Sequence, residues 1–126
     1  MTVSKKILIV EDVEDIMRIL GLRVEMYGYD AVFAINGEEA LVKTREEKPD
    51  LILLDIRMPD LDGLQFMNRL FTDEEICHTP VIMVTASAEP ETEAMCREMG
   101  AKFYVTKPFD HEFLKSCIEK CIGPSG

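Results

Sequence analysis

Positive charge is what this 126-residue chain has least of: 14 Lys and Arg stand against 24 Asp and Glu, a formal net charge of -10. Such a surface repels a phosphate backbone and argues against direct nucleic-acid binding. It suits a site that collects a divalent cation, although Glu-rich helix surfaces would give the same sum. The four cysteines (Cys77, Cys96, Cys117, Cys121) show no CxxC spacing, and no His pair stands at zinc-finger intervals. They read as small core hydrophobes rather than metal ligands. Lys5-Lys6 is followed only by Ile7 to Val10 before acids intervene, too short for the apolar stretch of a signal peptide. No apolar run approaches the length of a membrane span. The expected location is the cytoplasm, with no membrane partner.

What is present is ordinary globular material, 47% hydrophobic and 30% charged, long enough to bury a core without staples. Five short apolar runs stand out: Ile7 to Val10, Ala31 to Ile35, Leu51 to Leu54, Val81 to Val84, and Phe103 to Val105. Each reads as a strand, and the unbroken runs read as strands buried on both faces. Between them the apolar period lengthens to three and four residues. Ile16, Met17, Leu20, Val24 and Tyr27 mark a first helix, and Ala40, Leu41 and Thr44 a second, capped by Asn36-Gly37. Leu64, Met67, Asn68 and Phe71 suggest a third helical face, with Leu70 on its flank. Ala94, Met95 and Met99 give a sparse fourth over Glu91 to Met99, expected to be the loosest element. Phe113, Leu114, Cys117, Ile118 and Cys121 make the fifth.

Alternating strands and helices predict an α/β fold: one doubly wound, flavodoxin-like parallel sheet of five strands, with five helices on both faces. The usual strand order for five such units is 2-1-3-4-5, and ligands then bind beyond the carboxyl ends of the strands. One domain is expected over residues 1–122, with 123–126 as a tail or linker. The chain stops directly after the fifth helix, so no output domain is expected within it.

That rule turns scattered residues into a site. The first strand ends in Glu11-Asp12, the third in Asp55, the fourth in Thr85 and the fifth in Thr106-Lys107. In a parallel sheet these ends share one edge. Three carboxylates there repel one another, and a hard cation such as Mg²⁺ relieves the repulsion while keeping several of its waters. A metal, a lysine and a hydroxyl together suit phosphoryl transfer, which needs positioning and charge neutralisation above all. Asp55, on the central strand, is the candidate nucleophile, and the product would be an acyl phosphate. Lys107 and Thr85 would each hold a phosphoryl oxygen.

With these residues assembled, the chain resembles a response-regulator receiver domain of two-component signalling, over Lys6 to Ile122. The motifs are Glu11-Asp12, Asp55-Ile56-Arg57-Met58-Pro59 with Asp62-Gly63, Thr85-Ala86, and Lys107-Pro108-Phe109. The resemblance implies a phosphorelay role in which Asp55 accepts a phosphoryl group from a sensor histidine kinase or a histidine phosphotransfer protein. It implies Mg²⁺ held by Asp12, Asp55 and the backbone carbonyl of Arg57, with Glu11 acting through a metal-bound water. Glu is longer than the Asp often found at that first acid position. A cis Lys107-Pro108 bond is expected. So is a switch in which Thr85 moves onto the phosphoryl group and Tyr104 turns inward. The fourth helix, fifth strand and fifth helix would form the face that changes for a downstream protein partner, and a phosphorylation-dependent dimer fits the same scheme. Arg57 and Ser87 stand where relatives tune the lifetime of the phosphoryl group.

Other chemistries fit less well. A phosphatase of the haloacid-dehalogenase type needs a second Asp two residues after the nucleophile, and position 57 is Arg. A flavin-mononucleotide carrier needs a phosphate-cradling loop after the first strand, where Glu11-Asp12 would repel the phosphate. A receiver-like module that never takes a phosphoryl group would lack Asp55, Thr85 or Lys107, and none is missing. The expectation is therefore a phosphoacceptor switch that assists its own phosphorylation and hydrolysis, not an enzyme turning over an outside substrate. His78 is expected to be an exposed residue before the fourth strand.

Overall fold

The protein is described by a computed structural model that covers residues 4–55, 63–86 and 88–124. The turn expected at Pro59 and Asp62, the carbonyl of Arg57, and Ser87 lie outside the described residues. Strands and helices alternate: β1 (Lys6–Val10), α1 (Glu14–Met26), β2 (Asp30–Ala34), α2 (Gly37–Glu47), β3 (Leu51–Leu54), α3 (Gly63–Phe71), β4 (Val81–Thr85), α4 (Pro90–Met99), β5 (Phe103–Thr106) and α5 (His111–Ile122). The strands form one parallel sheet in the order β2-β1-β3-β4-β5. This is the architecture the sequence pattern predicts.

Period-two alternation sends each strand's side chains to two cores. Leu8, Val10, Ile52, Leu54, Val81 and Met83 join residues of α2, α3 and α4 on one face. Ile7, Ile9, Leu51, Leu53, Ile82 and Val84 join residues of α1 and α5 on the other. Burial on both sides explains why β1, β3 and β4 read as unbroken apolar runs. Each fully buried aliphatic side chain contributes about 1.5–3 kcal/mol.

Three helices present faces other than those expected. In α3 the buried residues are Gly63, Phe66, Met67 and Leu70, while Asn68 is exposed and Leu64 and Phe71 are half-buried. The true stripe runs at i, i+3, i+4 and i+7, and Phe66 with Leu70 carries more apolar area than the face drawn through Asn68. In α4 only Cys96 is fully buried, with Met99 packed beside it; Ala94 and Met95 face solvent. In α5, Leu114, Cys117 and Ile118 are buried and Phe113 is exposed. The local ends agree better. The Asn36 side chain accepts from the Glu39 N–H at 2.8 Å, capping α2. Gly100 ends α4 at φ 123°, a conformation that side chains disfavour. Inside α1, a Cβ on Gly21 would come within 2.6 Å of the Phe33 ring of β2, so the helix and this outer strand approach closely there.

Candidate functional site

The ladder itself sets the site. Val10 pairs with Leu54, and the Asp55 N–H donates to the Val10 carbonyl at 3.3 Å, which puts Asp55 beside Glu11 where both strands end. The Glu11 N–H donates in turn to the Ala34 carbonyl at 3.1 Å, extending β1 by a residue and burying the Glu11 side chain. On the far side of β3, Thr85 ends β4 and is fully buried. The Lys107 N–H donates to the Thr85 carbonyl at 2.8 Å, anchoring the residue after β5. The Lys107-Pro108 bond is cis, as the resemblance led one to expect.

From that anchor the Lys107 side chain reaches back over the sheet edge. Its Nζ lies 3.1 Å from Glu11 Oε2 and 3.1 Å from Asp55 Oδ2. One ammonium therefore serves two buried carboxyl groups. Burial pushes the Glu11 carboxyl up from an ordinary 4.5 to about 7; the Lys107 charge and hydrogen bond oppose the rise and the Asp55 charge adds to it. Glu11 Oε1 is buried and finds no hydrogen-bond partner among the described residues. An acceptor left so costs about 1–3 kcal/mol, more when charged. Asp12, next in the chain, is exposed.

These oxygens suit Mg²⁺, a hard cation that takes one or two carboxylates and keeps much of its water. Glu11, Asp12 and Asp55 do not form a tight trio: among the described residues no group of three His, Cys, Asp or Glu stands close enough to hold a metal ion. The Lys107 ammonium occupies the ground between Glu11 and Asp55 in their place. Lys107, two buried carboxyl groups and the Thr85 hydroxyl thus stand at the same end of the sheet.

The comparisons with known proteins decide the family. The chain matches the response regulator receiver domain over residues 7–119. It belongs to the response-regulator receiver family. This receiver is 42% identical over 119 residues to the polar-differentiation response regulator DivK of Brucella anthropi, an alignment that covers 94% of the chain and 97% of DivK. It is 43% identical over 106 residues to the alkaline phosphatase synthesis transcriptional regulatory protein PhoP of Bacillus subtilis, covering 84% of the chain but 43% of PhoP. The chain thus spans less than half of one relative and nearly all of another. Among solved structures, the receiver domain of the sensor histidine kinase PA1611 from Pseudomonas aeruginosa PAO1 superposes with a TM-score of 0.87 at 27% identity, over 95% of this chain and 98% of that one. That structure has a magnesium ion coordinated in its active-site cleft. Receiver domains act as phosphoacceptor switches of two-component signalling.

Tyr104 is buried in the same core as Met83, its register partner on β4. Alternation along β4 puts Thr85 on that same face, two residues beyond Met83. His78 is exposed, as expected. Two features were not foreseen. Lys107 holds Glu11 as well as Asp55, a contact that needs the β1 and β5 ends to be brought together across the sheet. Beside Lys107 a groove of about 610 Å³ opens between α1 and the start of α5, lined by Ile16, Ile19, Pro108, Phe109 and His111 among others. Of its lining residues, Ile19 falls off the buried stripe of α1 and is exposed. Among the described residues no helix is long and apolar enough to cross a membrane.

Proposed function

We propose that Asp55 accepts a phosphoryl group from a phosphohistidine on a sensor histidine kinase or histidine phosphotransfer protein. The observation that carries this reading is the Asp55 carboxylate at the end of the central strand, with Lys107 at 3.1 Å. An Asp55 oxygen attacks phosphorus, the P–N bond to the donor imidazole breaks, and an acyl phosphate forms. Lys107 then exchanges a carboxylate partner for a phosphoryl oxygen, and the Thr85 hydroxyl takes another. Asp12, Asp55 and the backbone carbonyl of Arg57 would hold Mg²⁺ directly, with Glu11 bound through water. When present, the ion neutralises charge on the transferring group.

The same reading makes the α4–β5–α5 face the part that answers phosphorylation, with Thr85 and Tyr104 as its inner coupling and a downstream protein as its partner. The receiver occupies residues 1–122 and 123–126 form a tail or linker. It works in the cytoplasm, without nucleic acid or membrane, as a switch that assists its own phosphorylation and hydrolysis. Incubation with acetyl phosphate and Mg²⁺ tests it by intact mass. One phosphoryl group is expected on the wild type and none on Asp55→Asn. Label that persists in that variant would move the acceptor elsewhere.

A further inference from the structure

At the opposite edge of the sheet from Asp55, a groove of about 380 Å³ is lined by Pro80, Lys102, Phe103, Lys120 and Cys121. It lies where β5 begins and α5 ends. Its size falls within the range of about 300–1,000 Å³ typical of small-ligand clefts, and it admits one aromatic side chain. Phe103, Pro80 and Cys121 are half-buried and form an apolar floor, while Lys102 and Lys120 are exposed at the rim.

The rim of the groove is cationic. In a chain of net charge -10, the ion pairs among described residues use Lys6, Arg18, Arg45, Arg69, Arg97 and Lys107, and neither rim lysine belongs to one. Lys120 and Arg97 act on the Cys117 thiol and Lys102 on the Cys121 thiol, each opposing the rise that burial causes. A cationic rim over an apolar floor, on an otherwise acidic protein, is complementary to an acidic segment with an apolar anchor.

We infer that the groove between the start of β5 and the end of α5 binds an acidic peptide segment of a partner protein, with an aromatic side chain on Phe103 and flanking carboxylates on Lys102 and Lys120. This rests on the reading of the α4–β5–α5 face as the partner face and gives that partner a chemistry.

The test titrates the full ¹⁵N-labelled chain with a short acidic peptide carrying one central Phe. The same peptide with Lys in place of its acids, the same peptide with Ser in place of Phe, and a short single-stranded oligonucleotide serve as comparisons. The expected result is amide shifts at Lys102, Phe103, Lys120 and Cys121 with the acidic Phe peptide, and binding at least about fivefold weaker for each altered peptide. Reversing the rim with Lys102→Glu and Lys120→Glu should weaken the acidic peptide about tenfold. Shifts centred elsewhere, equal binding of the Lys or Ser peptide, or preference for the oligonucleotide would overturn the assignment. If the double variant does not fold, the peptide comparisons on the wild type decide the matter alone. Phosphorylation is followed separately on the same protein. A chain that takes no phosphoryl group from acetyl phosphate but binds the acidic peptide here removes the phosphoacceptor reading and supports the groove.

Discussion

Replacing Glu11 by Gln removes a charge that the fold disfavours and keeps the side chain's size. Folded Glu11 holds its proton to about pH 7, whereas the unfolded chain releases it near 4.5. Between those values the folded state binds more protons than the unfolded one. The stability tied to this group is therefore complete below pH 4.5 and declines as pH rises toward 7. Integrated over that window, ionising Glu11 costs the wild type on the order of 3 kcal/mol at about pH 8, and under about 1 kcal/mol at about pH 5. Gln does not titrate, and its carbonyl can still accept from Lys107 while its amide replaces the orphaned Oε1. Glu11→Gln should therefore gain on the wild type by about 2 kcal/mol between about pH 5 and pH 8. Urea unfolding of both proteins at the two pH values, with EDTA present, measures the difference. Groups that titrate alike in both proteins cancel. An equal stability difference at both values, or a variant that loses ground as pH rises, would refute the account of Glu11 as a buried, poorly compensated carboxylate.

Lys107→Ala leaves Glu11 and Asp55 without their shared cation and should slow phosphoryl uptake from acetyl phosphate by about 100-fold, while Mg²⁺ binding by calorimetry persists. Loss of metal binding together with uptake would show that Lys107 is needed to shape the site. Gly21→Ala should destabilise the protein by about 1–2 kcal/mol, because a Cβ would meet the Phe33 ring at 2.6 Å. In a Phe33→Ala background the same change should become neutral or stabilising by up to about 1 kcal/mol, the helix preference of Ala over Gly. A urea double-mutant cycle with no coupling would contradict that packing. Asn36→Ala should cost about 1 kcal/mol through loss of the α2 cap, read from the same unfolding curves.

Periodicity was enough for the order of elements and the strand ends, because β1, β3 and β4 are buried on both faces and carry no alternating polar residues. The Asn36 cap was legible for the same local reason: its partner lies three residues away. The buried faces of α3 and α4 were not. A stripe drawn through Leu64 and Asn68 lies nearly opposite one through Phe66 and Leu70, because two residues turn a helix by about 200°, and the packing of α3 against α2 and the sheet selects between them. For α4, with few apolar residues, burial of Cys96 over Met95 is settled by where the helix rests.

The same division runs through the site. The chain alone determined which strand ends carry Glu11, Asp55, Thr85 and Lys107, since a parallel sheet sends every carboxyl end to one edge. Only the folded molecule decided that Lys107, 96 residues from Glu11, holds that carboxylate together with Asp55, that Glu11 is buried with one oxygen unpaired among the described residues, and that Asp12 stays outside. Sequence spacing carries no record of distance between strands that meet across a sheet; the order β2-β1-β3-β4-β5 and the turn after β5 supply it.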